Sequence, residues 1–343
     1  MARRSRFGGA RMLLGCLLAM TAALVSASEA RCEGALKAKI GVLRLSSSAP
    51  VFIAQDKGYF REAGLDIELK FFDAAQPIAV ATTSGDVDFG ITAFTAGLYN
   101  LAGKGTLKVI GGMSREKPGY PLIGYFASNN AYAGGLKTPR DLAGKRVAVT
   151  QTGSSFHYSL GLLADKYGFK LSEVKVVPLQ SLSNAAAALK GETVDAALLP
   201  ASTARKLIDD GGAKLLGWVG DETPWQLGAV FASIKTVTDK PLVTRLLAAL
   251  ARADREYHDV ILAAVSEGKA PINQKTRPLL EIIANYTNLP VEQVVGNCAY
   301  IDGDGKLDVG NVGNQISWLQ QQGFVDKGFG VEDIIAKDYV KPD

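Results

Sequence analysis

The chain has 343 residues, 47% of them hydrophobic and 21% charged, with a formal charge of +4, two histidines and three cysteines. Residues 1–30 hold four Arg and one Glu, so the rest of the chain comes to +1, and it shows no Lys/Arg run with interleaved aromatics. That balance argues against a nucleic-acid partner or a membrane surface held by charge, and the length suffices for two hydrophobic cores.

The first thirty residues read as a cleaved signal peptide. Arg3, Arg4, Arg6 and Arg11 lead an apolar run from Met12 to Val25, and Ser28-Glu29-Ala30 supplies a small-x-small cleavage site. The run is short for a membrane span, although an uncleaved anchor would use the same residues. Arg3-Arg4-Ser5-Arg6-Phe7 resembles a twin-arginine signal and Leu13-Leu14-Gly15-Cys16 a lipoprotein box, so the export route stays open. Cleavage leaves Cys32 and Cys298, free to pair or to remain thiols.

Beyond the signal, apolar runs alternate with helical patterns. Ile40–Leu43 reads as a strand. Pro50–Ala63 reads as an amphipathic helix with Pro50 in its first turn and Val51, Ile53, Ala54, Phe60 and Ala63 toward a core, punctuated by Gly58 and Gly64. Asp66–Phe72 alternates as a strand, and further strands are expected at 87–91, 107–110, 146–149 and 194–199, with Ala-rich helices over 77–84 and 184–190. This order predicts α/β layers of largely parallel strands, which bind ligands at the strand carboxyl ends. Thr83-Ser84-Gly85-Asp86-Val87-Asp88 and Leu189-Lys190-Gly191-Glu192-Thr193-Val194-Asp195 share one pattern: a helix end, a glycine, an acid, then apolar-Asp opening a strand. The recurrence suggests two lobes of one construction, set against the frequency of helix-Gly-acid-strand in any α/β chain.

Pro50–Asp66, the two Gly-acid-x-Asp strand starts, Leu142–Val149, Leu215-Leu216 and the C-terminal Tyr300–Asp308, Ile316-Ser317-Trp318 and Gln322-Gly323-Phe324 resemble the nitrate/sulfonate/taurine-type periplasmic solute-binding proteins of ABC importers, in the pyrimidine-precursor-synthase-like superfamily. The resemblance covers nearly all of the chain after the signal. It implies a type II periplasmic-binding-protein fold, α/β and two-lobed, each lobe a mostly parallel sheet flanked by helices, with the ligand cleft between lobes. Lobe one would comprise 37–125 and 228–343, lobe two 126–227, and the crossovers Leu122–Ala127 and Gln226–Phe231. The resemblance further implies a periplasmic monomer without a cofactor, which captures a small organic ligand by lobe closure and delivers it to permease and ATPase subunits.

Strand ends place the candidate pocket. Ser46, Ser47 and Ser48 follow the first strand, Asp73 and Gln76 the second, and Phe94 and Thr95 the third. The second lobe offers Thr152, Gly153, Ser154, Ser155 and Phe156, then Pro200 and Ser202, and Trp225 stands with Phe94 and Phe156 as an aromatic wall. Any one Ser or Thr before a helix serves as an N-cap. Clusters of them at several strand ends point to an anionic head group met by hydroxyls and free backbone N–H groups. Arg44 reads either as an anion contact or as a surface arginine, Asp73 and Gln76 offer instead the recognition of a donor-bearing ligand, and an acid at the cleft disfavours a bare ion such as nitrate. An alkyl or aryl sulfonate or an aromatic carboxylate fits best, with a pyrimidine as the alternative.

Catalytic readings fare worse. His157 and His258 show no metal-ligand spacing, and a serine and histidine in one helix start do not form a triad easily. Asp302-Gly303-Asp304-Gly305-Lys306-Leu307-Asp308 places Lys306 and Leu307 where a calcium loop needs an oxygen ligand and a glycine, so an Asp/Gly turn is expected. The expectation is no enzyme and no metal site. The alternatives are an enzyme of thiamine-precursor chemistry on the same fold, which export disfavours, and a sensory module for a membrane receptor.

Overall fold

The structure is a computed structural model that describes residues 1–2, 34–266 and 268–343. The expected signal peptide beyond its first two residues, and Cys32, lie outside the described residues. Cys298 is buried as a free thiol, and burial pushes it up to about 12.

Two five-stranded sheets organise Leu36–Asp343, which folds as one compact unit. In the first, β1 (Leu36–Leu43) pairs in parallel with β2 (Leu65–Phe72) along its whole length and with β3 (Phe89–Ala93) on its other edge. β4 (Leu107–Gly112) joins through β12 (Gly228–Ser233), which runs antiparallel to both β3 and β4, so the order is β2-β1-β3-β12-β4. The second sheet contains β6 (Ile123–Ala127), β7 (Arg146–Val149), β8 (Lys175–Pro178), β9 (Ala196–Pro200) and β10 (Lys214–Trp218). Its order is β10-β6-β9-β7-β8, with β6 antiparallel to both its neighbours.

Read from β8, the second sheet repeats the first: three parallel strands, one antiparallel strand that enters from the other half of the chain, and an outer strand. The repeated sequence pattern has the same job in each. Asp88 takes the backbone N–H of Lys39 on β1 at 2.7 Å and returns its own N–H to the Lys39 carbonyl. Asp195 does so with Arg146 on β7, also at 2.7 Å. Each carboxylate satisfies an N–H of the neighbouring parallel strand, one residue before the two strands begin to pair.

A small third sheet of β5 (Ser114–Glu116), β11 (Trp225–Gln226) and β13 (Tyr300–Ile301) lies where the chain passes between the two large ones. The helix expected over 50–63 is broken: Ala49–Asp56 ends before Gly58, whose φ of 79° lets the chain turn into the short helix Tyr59–Glu62. Phe52, Ile53 and Phe60 are nonetheless buried together in the core. The expected Asp/Gly turn forms, with Asp302 Oδ1 accepting from the N–H groups of Asp304 and Lys306. The C-terminal helix Val309–Gln321 packs Val312, Ile316 and Leu319 on the side of the first sheet that holds Ala229 and Phe231.

Candidate functional site

A cleft enclosing about 690 Å³ of open space lies at the carboxyl ends of β1, β3, β7 and β9. Apolar side chains dominate its lining, among them Leu43, Ile91, Met113, Leu122, Phe156 and Leu227. Its polar groups are eight hydroxyls and one amide, Gln151, and no ionisable side chain belongs to it. Six helices of eight residues or more start at its wall: Ala49–Asp56, Ala75–Ser84, Ala96–Gly103, Ser155–Tyr167, Leu182–Lys190 and Ala201–Asp209. Each contributes its first residue or its cap to the lining. Their first turns carry N–H groups that have no acceptor within the helix, and these with the positive dipole ends make the space favourable to negative charge.

The hydroxyls divide into two sets. Thr95 and Ser154 cap their helices, accepting from Leu98 N–H and His157 N–H, and Thr95 also donates to Gln76 Oε1 at 2.6 Å. Ser48 precedes the helix Ala49–Asp56 without capping it. The Thr92 hydroxyl is buried with no hydrogen-bond partner among the described residues.

Seven of the sequence-predicted residues line this cleft: Ser47, Ser48, Thr95, Ser154, Ser155, Phe156 and Pro200. The others stand outside the lining for identifiable reasons. Ser46 is buried in the turn behind Ser47. Asp73 is exposed beside the lining residue Ala74, and Thr152 is exposed on the loop that carries Ser154. Gln76 supports Thr95 from behind, packed so closely that a Cβ at Gly97 would stand 2.0 Å from its Nε2. Phe94 stacks on Tyr99 at 5.1 Å in the core. Ser202 is buried on its helix, its hydroxyl unpartnered, and Arg44 lies over the Phe71 ring and donates to the Tyr286 carbonyl.

Gly153 and Trp225 belong to a seam between the two halves. The N–H of Ala96 donates to the Gly153 carbonyl at 2.8 Å, and the φ of 74° at Gly153 and the nearness of Ala96 Cβ leave no room there for a side chain. The helix Ser155–Tyr167 turns Phe156 to the cleft and lays Tyr158 edge-on between Trp225 at 4.9 Å and Trp318 at 5.2 Å. Trp318 also donates to Asp165 at 3.2 Å and lies close against Gly161, where a Cβ would stand 1.9 Å from its ring. His157 packs against Phe324 and accepts the Gly153 N–H on Nδ1 at 3.1 Å, and burial holds its pKa below the ordinary 6.5.

Thr92 and Gln151 line the cleft from strand ends that the sequence marks, whereas Met113, Ser114 and Leu182 escape sequence reading. Thr92 sits one position inside the end of β3 and Gln151 in the loop after β7, both within stretches that strand-end logic marks. Met113 and Ser114 lie at the junction of β4 and β5, which carries no local signal.

Residues 46–253 match the sequence profile of a family described as NMT1/THI5 like. Among curated proteins the chain is 30% identical over 169 residues to the taurine-binding periplasmic protein of Escherichia coli (strain K12), covering 48% of this chain and 49% of that protein. The match thus spans about half the length of that relative. Among solved structures, the periplasmic aliphatic sulphonate binding protein SsuA from Escherichia coli superposes with a TM-score of 0.67 at 18% identity, covering 90% of this chain and 92% of that one. The alkanesulfonate-binding protein SsuA from Xanthomonas axonopodis pv. citri, bound to MOPS, superposes with a TM-score of 0.68 at 21% identity, covering 90% and 98%. These likenesses establish the two-lobed periplasmic-binding-protein fold.

Proposed function

The chain belongs to the NMT1/THI5-like family, and from that premise we propose that it is an exported solute receptor. It captures a small organic anion, an alkyl or aryl sulfonate or an aromatic carboxylate, between its lobes and delivers it to the permease and ATPase subunits of an ABC importer. The observation that carries this reading is the cleft itself: an apolar space at the carboxyl ends of two like sheets, faced by six helix starts and lined by hydroxyls in place of charges. The sulfonate binders similar in fold to this chain support the same ligand class, and the taurine binder similar in sequence supports its sulfonate head group.

Residues 1–30 serve as the cleaved signal that places the protein in the periplasm. Lobe one is 37–125 with 228–343 and lobe two 126–227. β6 and the segment from β11 into β12 are the hinges, where a few torsions swing the lobes while each core stays packed. The test is a melting-temperature screen of the purified protein against sulfonates, aromatic carboxylates, pyrimidines and nitrate, because a ligand of the folded state raises stability by mass action. A shift with sulfonates or aromatic carboxylates, the compound being recovered unchanged, supports the reading. A shift confined to pyrimidines, or conversion of the compound, overturns it.

A further inference from the structure

We propose that the cleft selects its ligand by charge pattern: it takes an organic monoanion with an apolar body, head group on the Thr92 hydroxyl, and rejects the same anion when it carries an ammonium group. The proposal deepens the receptor reading above and rests on it.

The rejection follows from the lining. A buried ammonium needs a carboxylate or a ring of oxygen acceptors, and an uncompensated buried charge is strongly unfavourable. The lining offers no Asp or Glu, and the nearest acid along the chain, Asp73, is exposed and lies outside it. The six helix starts add positive potential in the same space, which opposes a cation as much as it favours an anion.

The limit to one negative charge has the same origin. Among the described residues no Lys, Arg or His lines the cleft, and the two guanidiniums adjacent in the chain to lining residues are engaged elsewhere, Arg44 with Phe71 and the Tyr286 carbonyl and Arg115 with Asp343 and the Lys306 carbonyl. Hydroxyls and backbone N–H groups can solvate one anionic head group, whereas a dianion would keep charge that nothing neutralises.

Thr92 fixes where that head group sits. The residue is 8% exposed, lines the cleft, and its Oγ1 meets no hydrogen-bond partner among the described residues. A buried hydroxyl without a partner is unfavourable unless a ligand or water completes it. The turn Ser46–Ser48 packs against β3, bringing the uncapping Ser48 to the same end of the cleft. The body of the ligand then extends over Leu43, Ile91, Met113, Leu122, Phe156 and Leu227.

The test is titration calorimetry of the purified protein with two matched pairs: hexane-1-sulfonate against 6-aminohexane-1-sulfonate, and 4-methylbenzoate against 4-(aminomethyl)benzoate. The expected result is that each amine-bearing member binds at least about 100-fold more weakly than its partner. Equal or tighter binding of the amines overturns the selectivity while leaving the receptor reading intact. Failure of both plain anions to bind overturns the receptor reading and the selectivity with it. Thr92→Val should keep or raise the melting temperature and weaken the plain anion at least about 10-fold, and unchanged affinity overturns the head-group assignment.

Discussion

Gly161→Ala should weaken ligand binding without unfolding either lobe. A Cβ at Gly161 would stand 1.9 Å from Trp318 Cζ2 and 2.5 Å from Cη2. Carbon atoms prefer about 3.5 Å, so the ring and the helix must separate by roughly 1.6 Å. A movement of that size breaks the Trp318–Asp165 hydrogen bond and the edge contact with Tyr158. Trp318 is carried by a helix packed on the first sheet, and Gly161 by a helix whose strand neighbour is β7 of the second. On the proposed closure, parting the lobes relieves the clash, so its cost falls on the closed state. Overpacking of this kind costs about 1–3 kcal/mol, which lowers affinity roughly 5- to 150-fold if only the closed state holds ligand tightly. Calorimetry with the best-binding sulfonate reads the affinity, and a thermal melt without ligand reads the fold. The double variant Gly161→Ala with Trp318→Ala should recover most of the loss relative to Trp318→Ala alone. A large fall in the ligand-free melting temperature with unchanged affinity would refute the reasoning, because it would make the seam static packing.

Phe94→Ala should cost about 3–5 kcal/mol of stability through loss of the Tyr99 stack, with affinity in the surviving folded fraction nearly unchanged, as chemical denaturation and calorimetry would show. Stability should fall as pH drops below 6.5, since the neutral His157 ring accepts the Gly153 N–H and protonation removes that acceptor. With the folded pKa below 6.5, this contribution is complete above 6.5 and is lost as pH falls toward the folded value. His157→Asn, which keeps an oxygen acceptor on the side chain, should have a melting temperature that depends less on pH between 7.5 and 5.5. Asp254 is fully buried, and burial, aided by the Asp302 and Asp304 carboxylates and opposed by Arg255 and Lys341, holds its carboxyl well above the ordinary 3.8. The unfolded chain ionises this group above 3.8 while the folded one keeps the proton, so stability declines as pH rises toward the folded pKa. Asp254→Asn should therefore raise the melting temperature more at pH 7 than at pH 4.

The two-sheet plan was legible because its signals are local. The Gly-acid-x-Asp pattern marks the same strand opening in both sheets, and Asp88 and Asp195 show why those residue types recur there: each carboxylate completes a neighbouring strand. The hydroxyl clusters at Ser47–Ser48 and Ser154–Ser155 were legible for the same reason, since a strand end and a helix start lie within a few residues of each other. Of the three expected aromatics only Phe156 lines the cleft, and Phe94 and Trp225 do not. Phe94 follows a strand as a cleft residue would, yet Tyr99 one helical turn on offers a stacking partner that sequence cannot rank above a ligand. Trp225 depends on Tyr158, and Tyr158 on Trp318, a chain of contacts spanning 160 residues of sequence. Leu182 was lost because Lys175–Pro178 is a four-residue strand ending in proline, too short to stand out as a run.

The central claim is that this cleft binds a solute and does no chemistry on it. It is tested most directly by titrating the purified protein, wild type and Ala93→Trp, with the organic anion that stabilises it most, and recovering the ligand for mass spectrometry. Ala93 lies at the end of β3 in the cleft lining, so an indole there fills the space while leaving the strand in place. The wild-type chain should take up one ligand and release it unchanged, and Ala93→Trp should lose binding with the melting transition retained. Wild-type affinity in Ala93→Trp, or a chemically altered ligand, would contradict it.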